Sequence, residues 1–422
     1  MVAASQFSII GGGSLGPEVR YLLVDQKMQN PVSYIQTDEL TYCSFQKAPL
    51  VAICAALAGF ISRSMFGVEE RNLVRKHTLM GMSGALAAFF GCPLGGSLFA
   101  LEVNSRFGVE YFEHSMEAIF SGVICLAVFR QLAQISIQSI WKISTPSLGS
   151  TTALEILYGL LIGFIGAGVA FVFANFHWKV MGLFQWMDLL RNERAIYRAL
   201  FGAVIVVGLG MLIPHTMFWG ESEIQTIATM APADTLENIW PTYGATYFEM
   251  DSPWKALLVG VAKMVAISFT VAGGYRGGFI FPLMATGAAL GRVVYYVLPF
   301  IPVQICVLGM AASINVGITR TALATTLILA YLAGEQNCIA PILASSLVSL
   351  FATGYMPFIK SQVLRSDLDC LYDEEDLDWE HSYHPEGPFL SIPKPDPDVH
   401  HYHNEAHRHD LNASDSHGSS IV

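Results

Sequence analysis

The sequence predicts an all-α, polytopic membrane protein: a bundle of spanning helices, several of them broken or tilted. Three observations carry that prediction. Apolar residues make up 53% of the chain and charged residues only 14%, whereas a soluble domain is about a quarter charged. Apolar runs occupy Ala48–Met65, Leu79–Leu101, Ala118–Ile135, Leu157–Phe176, Ala199–Ile213, Trp254–Ala272, Phe279–Val297, Cys306–Gly317 with Ala322–Ala333, and Ile339–Phe358. Several approach the roughly 20 residues that cross a bilayer. Twice a glycine cluster ending in proline interrupts such a run and restarts a helix, at Gly11–Pro17 and at Gly273–Pro282.

In chain order, residues 1–10 lack a basic leader, so no cleavable signal peptide is expected and the first apolar segment serves as its own signal. Residues 1–18 end in Gly11-Gly12-Gly13-Ser14-Leu15-Gly16-Pro17-Glu18, a glycine turn with Pro17 suited to the first helical position because its nitrogen has no hydrogen to lose. Residues 19–47 are polar, aperiodic and unlike their surroundings. Without them the chain reads Gly-Pro-Glu directly into Ala48-Pro49-Leu50. They begin with Val, whose codons start GT, and end with Lys, which AAG encodes, so they read as an insertion with the ends of a retained intron. As a surface loop, their six charges must still stay in water. Residues 48–365 form one hydrophobic body. Its longest polar stretch, 220–253, is expected outside the bilayer. In its last third Pro282 is expected to open a helix over Leu283–Leu298.

From residue 366 to 422 the chain turns acidic and then Pro- and His-rich, too poor in apolar residues to fold by itself. Its acids (Asp367, Asp369, Asp373, Glu374, Glu375, Asp376, Asp378, Glu380) supply much of the net charge of −11, which therefore says little about the ion the membrane part handles. The His400–His409 cluster could capture a metal, but a solvated tail explains it as well. The seven cysteines (Cys43, Cys54, Cys92, Cys125, Cys306, Cys338, Cys370) have no metal-ligand spacing, and most sit in apolar runs as small hydrophobes.

In lipid an unpaired backbone N–H is tolerated only where it faces a protein-lined cavity. Two helix breaks about half a chain apart are what an inverted repeat leaves, and the positive ends of the restarted helices form an anion site without a cationic side chain. Gly12-Gly13-Ser14-Leu15-Gly16 also matches the G-x-S-x-G nucleophile elbow, which would make Ser14 the nucleophile of an intramembrane hydrolase. That reading needs alternating strands and helices with a downstream Asp and His, and its context is missing here. A cation transporter would need buried acidic pairs, which the spans lack. Lys263 lies mid-span, where it either raises the potential for anions, pairs with a carboxylate, or reaches a vestibule. Glu102 ends an apolar run and is expected to make a structural hydrogen bond.

Four segments in order resemble the CLC family of chloride channels and chloride/proton antiporters. Gly13-Ser14-Leu15-Gly16-Pro17-Glu18 is similar to the S-L-G-P-E variant of the G-(K/R)-E-G-P motif. Gly81–Glu102 resembles the family's paired helices ending in Glu, Gly278-Phe279-Ile280-Phe281-Pro282 resembles G-x-F-x-P, and Ala311–Gly334 resembles the late helix pair. The resemblance covers most of residues 11–365. It implies a CLC-like inverted repeat whose helix ends converge on a dehydrated anion, a homodimer with one pore per subunit, chloride or a similar monovalent anion as cargo, a multi-pass place in a membrane, and no enzyme activity, cofactor, metal or nucleic acid. The anion-binding residues it implies are Ser14, Leu15, Gly16, Gly278, Phe279, Ile280, Phe281 and Ile359, with Glu18 as gating candidate. The departures are as specific. The family's early G-S-G-I-P segment has no counterpart before Gly11, so the chain is expected to be incomplete at its N-terminus. The family's gating and inner proton glutamates fall on Leu15 and Val103, and its late tyrosine on Ile359. These departures imply transport without proton coupling; the alternative is a non-conducting fragment or a faulty gene model.

Overall fold

The computed structural model describes residues 49–105, 109–134, 139–143, 148–221, 223–230, 248–275, 277–354 and 356. Ser14, Leu15, Gly16, Glu18, the segment 19–47 and Ile359 all lie outside them. All described residues belong to one compact unit, Met1–Leu364; a second, Arg365–Val422, lies outside.

Twelve α-helices are found among the described residues: α1 (Pro49–Ser64), α2 (Arg71–Phe90), α3 (Pro93–Ser105), α4 (Val109–Ala133), α5 (Ala153–Trp186), α6 (Ala195–Leu212), α7 (Glu223–Thr229), α8 (Pro253–Ala272), α9 (Ile280–Val297), α10 (Val303–Thr319), α11 (Ala322–Ala333) and α12 (Ile339–Ala352). Five are long and apolar enough to cross a membrane: α4 over His114–Ala133, α5, α6, α8 and α9.

The breaks between helices have local causes. The apolar run Leu79–Leu101 is two helices, because Gly91 turns left-handed (φ 62°) to end α2 and Pro93 opens α3. Arg320 (φ 65°) and Gly334 (φ 66°) end α10 and α11 in the same way. At α12 the helix stops at Ala352, short of the expected Phe358. The stretch 220–253 is not polar throughout, because α7 within it is buried through Ile224, Ile227 and Ala228 and packs on α9.

Helix α10 is the centre of the fold. Every residue from Gln304 to Thr319 is buried, as expected of a helix apolar on all sides. It packs against α5, α9, α11 and α12. Without a hydrophobic drive between helices in lipid, close approach and interhelical hydrogen bonds hold such a core together. Gly287 of α9 lets the backbone of Ala311 come into contact, and Gly159 and Gly163 of α5 do the same for Pro341 and Ser345. The Ser345 and Ser349 hydroxyls donate to the Gly309 and Ser313 carbonyls, both at 2.6 Å. Helices α1–α4 pack among themselves, and α3 joins them to α11.

Candidate functional site

The junction between α8 and α9 is a folded turn rather than a loose loop. The Gly273 amide donates to Phe269 O at 2.8 Å, Gly274 (φ 84°) donates to Val271 O, and Tyr275 N donates to Thr270 O at 3.2 Å. The Tyr275 hydroxyl donates to Ala199 O at 3.0 Å and ties the turn to α6. Gly277, Gly278 and Phe279 are buried and lead into α9. That helix begins at Ile280, upstream of the expected start after Pro282. The first bond of its ladder is Leu283 N to Phe279 O, 3.0 Å. Pro282 therefore sits inside the first turn, where its missing N–H costs nothing because the first four helical amides have no intrahelical acceptor anyway. The amides of Ile280 and Phe281 precede that first bond, at the positive end of an 18-residue helix.

An aromatic cluster fixes this end of α9. The Phe281 ring lies 6.1 Å from Trp141, 6.0 Å from Phe89 and 5.7 Å from Phe90, and Phe90 is 5.9 Å from Phe99. Trp141 Nε1 donates to Glu221 O at 2.8 Å, so the α2–α3 hairpin and the segment before α7 brace the same turn. The arrangement presents buried backbone N–H groups on a rigid support, which suits a small anion stripped of water. Of the sequence candidates, the structure brings together Gly278, Phe279, Ile280 and Phe281.

Glu102 is fully buried in α3. Its carboxylate accepts from the amides of Leu323 and Ala324 at 3.1 Å each, with a second contact to Ala324 at 3.3 Å. It is an internal acceptor on the N-terminus of α11, the structural hydrogen bond expected of it. Val103 beside it is buried in the apolar core.

Lys263 is fully buried, and its ammonium donates to three consecutive carbonyls: Thr216 and Met217 at 3.0 Å and Phe218 at 2.7 Å. An ammonium has three donors, and all three are used. The side chain therefore holds the turn after α6 in place and has no N–H left for a passing anion. Of the roles open to Lys263, pairing with a carboxylate is supported through Glu223, which interacts with it electrostatically. Lys263→Met should lower stability by about 3 kcal/mol, because it strands three carbonyls that lose their donor, each at about 1–3 kcal/mol when buried; thermal unfolding in detergent checks it.

Arg320 escaped the sequence reading. Its guanidinium donates to Leu350 O (2.7 Å), to Thr353 Oγ1 (3.0 Å) and to the Thr353 carbonyl, capping the C-terminus of α12. Asn315, Thr321 and Thr325 also form a buried network, with Asn315 Nδ2 on Thr325 Oγ1 at 3.0 Å and Thr321 and Thr325 hydroxyls 3.0 Å apart. Their polar types within an apolar run were the available signal.

Comparison with known proteins bears on the fold and the family. The family described as voltage gated chloride channel matches residues 46–354. Chloride channel protein E of Dictyostelium discoideum is 26% identical over 314 residues, 68% of this chain and 29% of that protein. The chain spans less than two thirds of the length of the curated relatives it matches. A crystal structure of a CLC-type fluoride/proton antiporter superposes with a TM-score of 0.57 at 20% identity, over 76% of this chain and 72% of that one. A crystal structure of a slow cyanobacterial Cl⁻/H⁺ antiporter gives 0.57 at 16% identity, over 85% and 83%. With four motifs in order, helices broken where the three motifs among the described residues fall and a family match across most of its length, this chain belongs to the voltage gated chloride channel (CLC) family.

Proposed function

We propose that this protein moves chloride or a similar monovalent anion across a membrane without stoichiometric proton movement. The observation that carries the reading is the buried restart of α9, where Gly277 and Gly278 lead the chain into a positive helix end braced by aromatic rings. Partial charges on backbone amides replace hydration, and contacts that are individually weak allow the ion to leave again. Ser14, Leu15, Gly16 and Ile359 complete the proposed path, and Glu18 is its proposed gate. The absence of proton coupling is supported by Val103, which puts an apolar side chain in the core where coupled relatives would need a titratable relay. A homodimer is part of the same proposal. The exposed apolar positions of α4, among them Phe112, Met116 and Phe120, then face acyl chains or a second copy.

The test is chloride efflux from liposomes holding the purified chain, with a potassium ionophore as shunt. Efflux that needs the shunt and moves no protons uphill is the expected result. Cation flux without anion flux would sink the reading, and proton pumping driven by a chloride gradient would sink its uncoupled part. If pumping occurred and Glu18→Gln abolished it, Glu18 would be the gate in a coupled mechanism.

A further inference from the structure

The turn after α6 gathers more polar groups than a connection needs. Pro214–Thr216 form one 3-10 turn. His215 within it is fully buried, and neither ring nitrogen has a hydrogen-bond partner. Its ring lies 5.8 Å from Phe248. The carbonyls of the next three residues hold Lys263. Glu221 follows, half-buried, with its carboxylate accepting from Trp219 Nε1 at 2.9 Å. Glu223 is buried at the start of α7. Lys263 interacts electrostatically with both His215 and Glu223, and the two carboxylates repel each other.

One argument points to bound water and a second to a retained proton. A neutral imidazole presents one donor and one acceptor, and buried polar atoms require partners. Water, making two to four hydrogen bonds in a polar pocket, serves both. Next, one ammonium cannot neutralise two carboxylates, and an uncompensated charge in a low-dielectric interior is avoided by keeping a proton. No group of three or more His, Cys, Asp or Glu among the described residues has the geometry to hold a metal instead.

We propose that His215, Glu221 and Glu223, on and beside the turn whose carbonyls hold the Lys263 ammonium, form a hydrated site that binds one exchangeable proton and lowers anion passage along α9 when that proton leaves. The proton moves between a carboxyl oxygen and water, and no other bond changes. Burial raises both carboxyls above their ordinary range, with Lys263 opposing the rise at Glu223. Burial first, and Lys263 second, push His215 down to about 4, so the ring stays neutral and the proton sits on a carboxyl. The other charged groups on the packed elements are remote or compensated. Asp251 and Lys255 pair with each other at 2.9 Å, Glu249 is exposed, Arg198 lies against Gly274 at the far end of α6, and Arg292 of α9 stacks on Tyr295 and Tyr296.

The link to α9 is direct. A Cβ built on Gly220 would lie 2.8 Å from Ala285 Cβ, 3.6 Å from Phe281 O and 3.7 Å from Lys263 Cε. Deprotonation therefore adds a negative charge to a segment that packs against α9, the helix whose positive end attracts the anion. This effect on transport rests on the proposed anion function; the proton site itself does not.

The experiment has two arms on the full chain. In the first, infrared difference spectra of the purified protein are recorded between pH about 5 and about 9, the range a carboxyl raised by burial can reach. A protonated-carboxyl band should titrate in the wild type and be lost in Glu223→Gln or in Glu221→Gln. In the second, chloride efflux should fall roughly tenfold on alkalinisation, the scale of one added charge acting through an effective dielectric of about 20, and the fall should vanish in the variant that loses the band. A spectrum with no titrating band, or one unchanged in both variants, overturns the site. A titrating band with pH-independent efflux overturns the link to α9. Absence of efflux at every pH counts against the anion function alone, leaving the infrared arm to decide the site.

Discussion

Gly278→Val should reduce chloride efflux at least about tenfold while the protein still folds and purifies, since losing a charge-assisted hydrogen bond costs about 1.5–3 kcal/mol. Gly278 is buried and immediately precedes Phe279, the residue that caps α9. A branched side chain there occupies the space through which an anion would approach the Ile280 and Phe281 amides, without interrupting the α9 ladder, which starts only at Leu283. Gly168→Ala is the control. It lies in α5, and the site of its added methyl group has nothing within 4 Å, so efflux should be unchanged. Gly287→Val is the opposite control. It forces α9 off the Ala311 backbone and should lower the yield of folded protein. Wild-type efflux from Gly278→Val would mean that the α8–α9 break is only a connection.

How legible these features were depended on whether their cause was local. The break at Gly273–Pro282 could be read because glycine and proline change the backbone within a few residues, and so could the long apolar runs. The start of α9 was misplaced because proline was taken as the first residue of the helix, whereas the packing of Phe281 on Trp141, Phe89 and Phe90 draws the helix back to Ile280. Gly91 with Pro93 is as clear a punctuation as the second cluster, yet it lies inside an apolar run and was read through when hydropathy alone was followed. Lys263 was recognised as anomalous, but its partners are carbonyls of a turn some forty-five residues earlier, and no pattern in the sequence announces them. The same holds for His215, which precedes the three carbonyls that hold Lys263. Within the proposed anion path, the half contributed by Gly278–Phe281 could be placed; the half contributed by Ser14, Leu15, Gly16 and Ile359 lies outside the described residues.

Glu102 yields the other large effect, and it separates a structural carboxylate from a proton carrier. The two amides it binds belong to Leu323 and Ala324, in the first turn of α11, where no intrahelical acceptor exists. Glu102→Ala removes their acceptor inside a buried contact between α3 and α11, the junction that joins α1–α4 to the α10 core. An unsatisfied buried donor costs about 1–3 kcal/mol, so loss of both should destabilise the protein by roughly 2–5 kcal/mol and depress its melting temperature in detergent. Glu102→Gln keeps a carbonyl oxygen that can accept from at least one amide. It gives up only the second carboxyl oxygen, whose contact with Ala324 is the longer one at 3.3 Å. The glutamine variant should therefore recover most of the stability lost in the alanine variant and conduct anions at near wild-type rates. A proton carrier predicts another ordering: Glu102→Gln and Glu102→Ala would be equally inactive, because neither side chain titrates, and the glutamine would bring no functional rescue. Melting temperatures and efflux measured on the same two preparations distinguish the cases. Rescue by glutamine in both assays leaves Glu102 as the pin between two helices, with Val103 beside it in the apolar core.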